Sequence, residues 1–347
     1  MIKLTMLSSA EKVKGQGVAS AYRELLTLME QQVGMYDLKV NQFDSCDITH
    51  YHTIDFRFYL STFFRRRRGV KVGYVHFLPE TVDESLKLPA PIRAIFYKYV
   101  VAFYQRMDHL VVVNPTFIPK LEALGIAKEK VHYIPNFVSK KMFREEPEEV
   151  RWALREKHEI SKEAFVVVGA GQVQHRKGIL DFVEVAKQLP HIQFIWVGGF
   201  SFGKITAGYE QLKAIVDHPP ANVRFTGIVD RETMGAYYNL SDMLFLPSFN
   251  ELFPMTILEA MSCGTPILLR DLDLYQDILF DYYYQASSVP TFVEMIENMR
   301  TDRDFYEQAC QAARRGAYHY SEDRLAEVWN DFYARMASIK KVPVYEQ

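Results

Sequence analysis

Short apolar runs rich in β-branched residues alternate with helix-period segments along the whole of this sequence. Such alternation is typical of parallel sheets whose strands are joined by crossover helices. The strands predicted for the first half of the chain are Ile2–Leu7, Leu38–Val40, Ile48–Tyr51, Val70–Val75, Leu110–Val113 and Val131–Ile134. The helices predicted between them are Val18–Val33, Asp55–Phe64, Pro91–Met107 and Thr116–Leu124.

A second series of the same kind begins after a charged stretch, Arg144–Lys162. A long predicted helix, about Glu322–Ile339, has no strand after it, and we expect it to return to the first domain. The pattern predicts an α/β protein with two Rossmann-like domains, residues 1–145 together with 322–347 and residues 146–321. The strands predicted for the second domain are Phe165–Gly169, Gln193–Val197, Val223–Phe225, Met243–Phe245 and Pro266–Leu269.

Charge is divided unevenly between these two halves. Residues 1–145 carry 21 Lys and Arg against 14 Asp and Glu, whereas residues 146–347 carry 20 against 29. The basic half could face anionic lipid or nucleic acid. No run approaches the roughly 20 apolar residues of a spanning helix, which predicts a soluble or peripheral protein. Three scattered cysteines fit no zinc or redox spacing and suggest buried thiols in a reducing compartment: Cys46, Cys263 and Cys310.

Two glycine-containing loops follow predicted strands and open helices. Gly15 and Gly17 follow the first strand, where backbone N–H groups at a helix N-terminus can bind phosphate, and the alternative is an ordinary flexible loop. Gly171 precedes Arg176 and Lys177 after the first strand of the second domain. Two cations at the start of a helix suit a diphosphate, and the alternative is a solvated basic turn.

Two glutamates form the most informative pattern. Glu251 lies in the loop after the strand that ends near Leu246, and Glu259 falls on the helix that Pro254 opens. We expect both carboxylates to point at one pocket, where they accept hydrogen bonds from the hydroxyls of a ribose or hexose. The alternative, two surface glutamates, fits poorly with the apolar residues around Glu259.

This glutamate pair, with seven residues between its members, resembles the motif of the family 4 retaining glycosyltransferases, which have the GT-B fold of two Rossmann-like domains facing across a cleft. The resemblance covers nearly the whole chain. Further motifs occur in the order that the family shows: Gly15-Gln16-Gly17, His76, Ile134-Pro135-Asn136, Lys177-Gly178, Trp196-Val197-Gly198-Gly199 and Ser241-Asp242.

The resemblance implies roles for these residues in holding a UDP-sugar donor. Glu259 would bind the ribose and Glu251 the transferred sugar, while Arg176 and Lys177 would neutralise the leaving diphosphate. The backbone of Gly17 would lie against that diphosphate, and His76 would contact the donor sugar near the reacting carbon.

The sequence departs from the family pattern at two places. The family usually has Arg at the position of Gln172, and here Arg176 stands beside the lysine instead. The glutamate motif reads Leu252-Phe253-Pro254 rather than Ser-Phe-Gly. This second departure leaves the choice between galactose and glucose open.

A metal site is not expected. His50 and His52 alternate on one predicted strand without a third ligand, and a lone histidine such as His76 is more often structural when no motif surrounds it. Asp271 and Asp273 resemble the metal-binding DxD of another glycosyltransferase fold but lie in the wrong domain, so a turn or helix cap is the better interpretation. We therefore predict no cofactor and no divalent metal, with the UDP-sugar as donor substrate.

Aromatic and basic residues in the first half indicate a membrane surface. Helix 91–107 carries a regular apolar stripe with Arg93, Lys98 and Arg106 beside it, which fits either a core-facing helix or an interfacial one. The interfacial interpretation is favoured by a cluster of aromatic and basic residues that can hold anionic lipid, namely Phe63, Phe64, Arg65, Arg66, Arg67 and Arg68. Nucleic acid is the rival partner, but no nucleic-acid-binding motif is present.

The segments Gly73–Ser85 and Arg270–Tyr275 are similar to those of Gram-positive glycolipid synthases, which add a second sugar to monoglucosyl-diacylglycerol. This resemblance implies an α-galactosyl-glucosyl-diacylglycerol product made from UDP-galactose by a peripheral enzyme on the cytoplasmic face of the cell membrane. Two other functions stay open: transfer to a soluble sugar or cell-wall polymer, and a non-catalytic membrane-associated scaffold that binds nucleotide sugars.

Overall fold

A computed structural model describes residues 1–10, 17–76, 78, 90–201, 203, 206–251 and 253–339. The chain forms two compact units, Met1–Phe137 with Glu322–Gln347 and Val138–Ser321. The first boundary falls at Phe137 instead of residue 145, because the segment after it packs within the second unit. The ring of Phe143 lies 6.2 Å from that of Tyr238, and the carbonyl of Arg144 accepts a 3.0 Å hydrogen bond from the side chain of Asn239.

The first unit contains a six-stranded parallel sheet with the order β2-β1-β3-β4-β5-β6. Its central strands are buried on both faces, as a sheet covered by helices on both sides requires. The strands are β1 (Ile2–Leu7), β2 (Tyr36–Val40), β3 (Ile48–Tyr51), β4 (Val70–Val75), β5 (His109–Val112) and β6 (Val131–Tyr133). The helices described in this unit are α1 (Gly17–Gln31), α2 (Phe56–Ser61), α3 (Arg65–Arg68), α4 (Ala90–Gln105), α5 (Phe117–Ala123), a 3-10 turn (Lys128–Lys130) and α14 (Glu322–Ile339).

The second unit contains another six-stranded parallel sheet, with the order β12-β11-β10-β7-β8-β9. Its strands are β7 (Val166–Ala170), β8 (Gln193–Val197), β9 (Val223–Phe225), β10 (Met243–Leu246), β11 (Ile267–Arg270) and β12 (Tyr284–Ala286). Its described helices are α6 (Glu148–Lys157), a 3-10 turn (His175–Lys177), α7 (Ile179–Gln188), α8 (Tyr209–Asp217), α9 (Arg231–Leu240), α10 (Met255–Ser262), α11 (Asp273–Leu279), α12 (Val289–Thr301) and α13 (Arg303–His319).

The final helix, α14, packs on the first sheet. Leu325, Trp329 and Tyr333 on one face of this helix are buried. The Tyr333 hydroxyl lies 2.7 Å from Nδ1 of His50 on β3, and the Tyr36 hydroxyl on β2 donates a 2.8 Å hydrogen bond to Asn330. The return of this helix to the first unit agrees with the sequence prediction.

Strand order reverses once in each sheet, and this reversal fixes where ligands can bind. In the first sheet the reversal lies between β1 and β3, and in the second between β7 and β10. In open parallel sheets, ligands bind outside the carboxyl ends of the strands at such a switch point. The loops after these four strands are therefore the first places to look for a functional site.

Several elements differ from the sequence prediction. The predicted helix Asp55–Phe64 is shorter, Phe56–Ser61, and α3 follows it. The charged stretch Arg144–Lys162 contains α6, whose buried Arg155 donates hydrogen bonds to three backbone carbonyls. Within the ranges given above, none of the helices has both the length and the apolarity needed to cross a bilayer.

Candidate functional site

The loops after β7 and β10 meet at the switch point of the second sheet. The backbone N–H of Phe249 donates a 2.7 Å hydrogen bond to the carbonyl of Arg176. Gly178 has a φ of +71°, and a Cβ there would lie 2.2 Å from the carbonyl oxygen of Pro247. Only glycine permits this conformation and this close approach together. The motif Lys177-Gly178 thus places the lysine directly against the glutamate loop.

A buried ion pair joins the two loops. Nζ of Lys177 donates a hydrogen bond to Oε1 of Glu251, and both side chains are at least nine-tenths buried. A guanidinium nitrogen of Arg176 lies 3.9 Å from Oε2 of the same carboxylate. Gly171 has a φ of +136° and lies beside the lysine, because a Cβ at this glycine would be 3.4 Å from Cε of Lys177. The structure thus brings these four residues together at the switch point.

Burial and the neighbouring charges shift the pKa values of both members of this pair. Burial alone would raise the pKa of Glu251, but the charges of Lys177 and Arg176 outweigh burial, so its pKa is lowered. Burial lowers the pKa of Lys177, and the nearby carboxylate offsets part of that shift. Two cations against one carboxylate leave an excess positive charge at the switch point, beside the N-terminus of α7. Such a cluster can bind an anion.

Glu259, on α10, has different contacts from those of Glu251. Its carboxylate is buried, accepts a 2.9 Å hydrogen bond from the hydroxyl of Tyr238, and lies 3.7 Å from the guanidinium of Arg231. Burial, followed by the charge of Glu259, raises the pKa of Tyr238. The hydroxyl therefore stays protonated and acts as the hydrogen-bond donor to the carboxylate. Sequence reasoning missed both partners, which lie on α9, away from the glutamate motif.

Arg270 is a further residue of this region that sequence reasoning did not assign. It ends β11 and donates a 3.0 Å hydrogen bond to the carbonyl of Pro247 and another to Asp181 of α7. Its guanidinium lies 4.0 Å from the ring centre of Phe249. These contacts brace the glutamate loop from the side. The available signal was a cation at the carboxyl end of a predicted strand.

His76 lies in the first unit, directly after β4. Its ring stacks on that of Tyr74 with centroids 4.3 Å apart, and the Tyr74 hydroxyl donates a 3.1 Å hydrogen bond to Asn136 of the Ile-Pro-Asn turn. Nε2 of His76 is buried and has no hydrogen-bond partner within the described part of the chain. Burial lowers the pKa of His76 to about 3, so the imidazole is neutral near pH 7.

His50 and His52 lie next to His76. The rings of His50 and His52 are 4.1 Å apart, and that of His52 is 6.3 Å from His76. The residues that the structure describes contain no group of three or more His, Cys, Asp or Glu arranged to hold a metal ion. Asp273 is the first residue of α11, and Asp271 lies between β11 and this helix. The predicted phosphate loop is only partly described: Gly17 begins α1, whereas Gly15 lies outside the described residues.

The predicted membrane segment is corrected at one residue. Phe63, Phe64 and Arg67 are exposed, but Arg68 is only 2% exposed and donates hydrogen bonds to the carbonyls of Phe43 and Asp44. Its guanidinium satisfies backbone groups of a neighbouring loop, so it does not face a membrane. The side chains of Arg65 and Arg66 lie outside the description.

Helix α4 divides into an exposed and a buried half. The side chains of residues 91–95 are exposed, including Ile95 at 70% exposure, whereas Val100 and Phe103 lie in the core. The ring of Tyr59 on α2 lies 5.4 Å from that of Tyr99, so α2 and α4 are neighbours. Exposed apolar side chains from these two helices and the loop after α2 form what we term the apolar surface: Phe56, Leu60, Phe63, Phe64, Ile92 and Ile95.

Comparison with known proteins places these features in a family. The sequence model of the "Glycosyl transferases group 1" family matches residues 150–316, a range that includes both glutamates and both cations of the second unit. The alpha-galactosylglucosyldiacylglycerol synthase of Streptococcus pneumoniae (strain ATCC BAA-255 / R6) is 49% identical over 343 residues, which are 97% of this chain and 91% of that protein.

Two solved structures share the fold. The sucrose-phosphate synthase of Thermosynechococcus elongatus superposes with a TM-score of 0.78 at 15% identity, over 98% of this chain and 100% of that one. Anabaena HepE, solved in complex with UDP-glucose, superposes with a TM-score of 0.76 at 14% identity, over 96% and 100%. The likeness confirms the predicted α/β architecture, the GT-B fold.

Proposed function

We propose that this chain, which belongs to the group 1 glycosyltransferases, transfers galactose from UDP-galactose to monoglucosyl-diacylglycerol and forms a diglycosyl-diacylglycerol. The observation that carries the donor side is the Arg176, Lys177 and Glu251 cluster at the switch point of the second sheet. The acceptor side rests on the 49% identical relative, whose name specifies this glycolipid, and on the apolar surface of the first unit.

The cationic cluster would stabilise the leaving UDP. As the bond between the anomeric carbon and the β-phosphate oxygen breaks, negative charge develops on the diphosphate. Arg176, Lys177 and the N-terminus of α7 supply fixed positive charge where it is needed, and Gly171 leaves room for the phosphate beside the lysine. We propose that this charge makes a divalent metal unnecessary for transfer.

The carboxylates would hold the donor by its hydroxyls. Glu251 has one oxygen bonded to Lys177 and further lone pairs that can accept from the transferred hexose. Glu259, fixed by Tyr238, would accept from the ribose. His76 is a neutral imidazole, so it can bond to a sugar hydroxyl as donor or acceptor.

The stereochemistry that we propose is retention. The acceptor hydroxyl attacks the anomeric carbon on the face that the diphosphate leaves, and its proton passes to the departing phosphate oxygen. The new C–O bond forms as the old one breaks, so the chain's own residues bind and orient both substrates and take no covalent part. The enzyme would work at the cytoplasmic face of a membrane, where the nucleotide sugar and the glycolipid meet.

The product analysis tests this function directly. We expect the protein, incubated with UDP-galactose and monoglucosyl-diacylglycerol, to form a galactosyl-glucosyl-diacylglycerol in which the second sugar is galactose, with the α configuration retained. UDP-glucose in a parallel reaction reports the sugar preference, and excess EDTA is expected to leave the rate unchanged. A strict Mn²⁺ requirement or a β-linked product would contradict the mechanism, and transfer to soluble glucosides alone would point to the soluble-acceptor function.

A matched pair of variants tests the donor site in the same assay. Lys177→Ala removes a cation from the leaving group and is expected to lower kcat at least 100-fold. Lys187→Ala removes an exposed lysine from the last turn of α7, where it pairs with Glu184, and is expected to be silent. Equal activity of both variants would overturn the assignment of Lys177.

A further inference from the structure

A cavity of about 310 Å³ lies in the first unit, at the carboxyl ends of its strands. It is next to the switch point between β1 and β3, the position where an open parallel sheet binds ligands. The volume is at the small end of the range for ligand pockets, which suits a single sugar ring better than a nucleotide. Polar and aromatic side chains line it together: Ser9, His52, Asp55, His76, Phe96 and Tyr99.

The polar side of this cavity centres on Asp55. Its carboxylate accepts 2.6 Å hydrogen bonds from the hydroxyls of Ser9 and Thr53, which follow β1 and β3. Asp55 stands at the N-cap position of α2, yet its side chain makes no capping hydrogen bond. The carboxylate is thus held by the two hydroxyls at the cavity wall instead of serving the helix, and it keeps lone pairs for a further donor.

Two buried imidazoles complete the polar side. Both ring nitrogens of His52 and Nε2 of His76 lack a hydrogen-bond partner within the described residues, and the two side chains are 2% and 7% exposed. Buried polar atoms in proteins are nearly always paired, so these nitrogens indicate a ligand that carries hydrogen-bonding groups. Burial lowers the pKa of both residues, and a neutral imidazole can donate and accept as hydroxyl groups do.

Another part of the cavity lining is aromatic and belongs to α4. Phe96 and Tyr99 face the cavity one turn after Ile92 and Ile95 of the apolar surface. The hydroxyl of Tyr99 donates a hydrogen bond to the carbonyl of Ile54, which fixes the position of the Tyr99 ring in the cavity lining. An amphipathic ligand with a hydroxylated ring and an apolar tail therefore matches the cavity and the surface beside it.

We propose that this cavity binds the hexose headgroup of the glycolipid acceptor, with Asp55 and His52 hydrogen-bonded to its hydroxyls and Phe96 and Tyr99 against its apolar face. The acyl chains then lie along the apolar surface. This assignment rests on the proposed function for the identity of the acceptor. His76 lines the same cavity, so the assignment places the acceptor sugar beside the residue that the family resemblance assigns to the reacting carbon.

Two conservative variants test the site. Asp55→Asn keeps an oxygen that can accept from Ser9 and Thr53 but removes the charge. His52→Phe keeps an aromatic ring for the packing with Tyr22 and Tyr74, and it removes both unpaired nitrogens. Each variant is expected to raise the acceptor KM about tenfold, because it loses a hydrogen bond to a sugar hydroxyl. The donor KM and the slow hydrolysis of UDP-sugar without acceptor are expected to stay within about twofold of the wild-type values.

The control variant is Asp331→Asn, which removes an exposed carboxylate from α14 of the same unit and is expected to change neither KM. Thermal unfolding of each variant reports whether the fold is kept. If His52 were only a packing residue, His52→Phe would be neutral or stabilising without any change in acceptor KM. Unchanged acceptor KM in both variants, or a rise in donor KM alone, would overturn the proposal.

Binding without turnover separates this proposal from the proposed function. Octyl α-glucoside, a soluble mimic of the headgroup, is titrated into the wild-type protein and both variants in the absence of donor. Binding that weakens in Asp55→Asn and His52→Phe supports the cavity even if no glycolipid is formed. Transfer to glycolipid by a protein whose variants bind and react normally would keep the function and refute the cavity.

Discussion

At the scale of single residues, side chains that follow strands were predictable and their partners were not. Arg176, Lys177 and Glu251 follow β7 and β10, and loops at the carboxyl edge of parallel strands can be located from the strands alone. Tyr238 reaches Glu259, and Arg270 reaches the loop after β10, from elements that are remote in sequence. The sequence marks Arg270 only as a cation at the end of a strand and does not show its partners, because these contacts arise from packing.

In the run Arg65–Arg68, the sequence prediction treated a buried residue as exposed. Four identical residues gave no reason to separate them, yet Arg68 turns inward to the carbonyls of Phe43 and Asp44. A guanidinium is buried where it finds enough acceptors, and those acceptors lie more than 20 residues away. A uniform sequence run therefore does not predict uniform exposure.

The buried pair in the second unit leads to a stability prediction. Glu251→Gln leaves the Lys177 charge buried without its main counter-charge, which is expected to destabilise the protein by about 3 kcal/mol. Adding Lys177→Met removes that charge, so the double variant is expected to regain most of the stability while remaining inactive. Thermal and urea unfolding measure the stability and sugar transfer measures the activity. A double variant as unstable as the sum of its single variants would show that the two groups are not coupled.

At the scale of elements, strands were predicted more reliably than helices on the surface. Each central strand is a continuous apolar run because it is buried on both faces, so its pattern is strong. Helix α6 lies in a charged stretch whose main buried anchor is Arg155, and β12 has only three residues with one of them buried. Such elements are held by contacts that sequence periodicity does not record.

The histidines on β3 and after β4 lead to a pH prediction. Burial lowers the pKa of His50 and His76 to about 3, and that of His52 well below its usual value. In the unfolded chain these groups take up protons as the pH falls through about 6.5. The folded state takes up none of them until much lower pH, so stability present above pH 6.5 is lost between about 6.5 and 3.

Each buried histidine is expected to lower the free energy of unfolding by up to about 1.4 kcal/mol per pH unit in that range. Thermal unfolding measured from pH 8 to pH 4.5 follows this loss. The variant His52→Phe carries one such group fewer and is expected to show a shallower decline. If wild type and variant declined in parallel, His52 would not titrate with unfolding.

At the scale of the whole molecule, the division of charge predicted from sequence corresponds to the two units. The basic half forms most of the first unit, which also carries the apolar surface. Basic side chains around exposed aromatic and aliphatic groups are typical of proteins that lie on anionic bilayers. The sequence could indicate this partner class, but only the fold distinguishes the exposed half of α4 from its buried half.

Membrane association is therefore predicted to depend on the exposed half of α4. The double variant Ile92→Ser/Ile95→Ser is expected to reduce sedimentation with phosphatidylglycerol vesicles at least tenfold. Val33→Ser is the control, because Val33 is 92% exposed but lies in the turn between α1 and β2, apart from the residues of the apolar surface. Raising the salt concentration is expected to weaken binding further, since Arg57 and Lys98 are exposed to solvent. Equal binding by both variants would place the contact elsewhere.

The position of α14 has a consequence for synthesis on the ribosome. The sheet of the first unit is translated first, but the helix that covers His50 and Tyr36 comes only after all of Val138–Ser321. The second unit is contiguous and can fold as soon as its own residues have emerged. Part of one face of the nascent sheet stays uncovered until α14 is synthesised about 185 residues later. A chaperone that shields apolar strands would have its natural substrate in that interval.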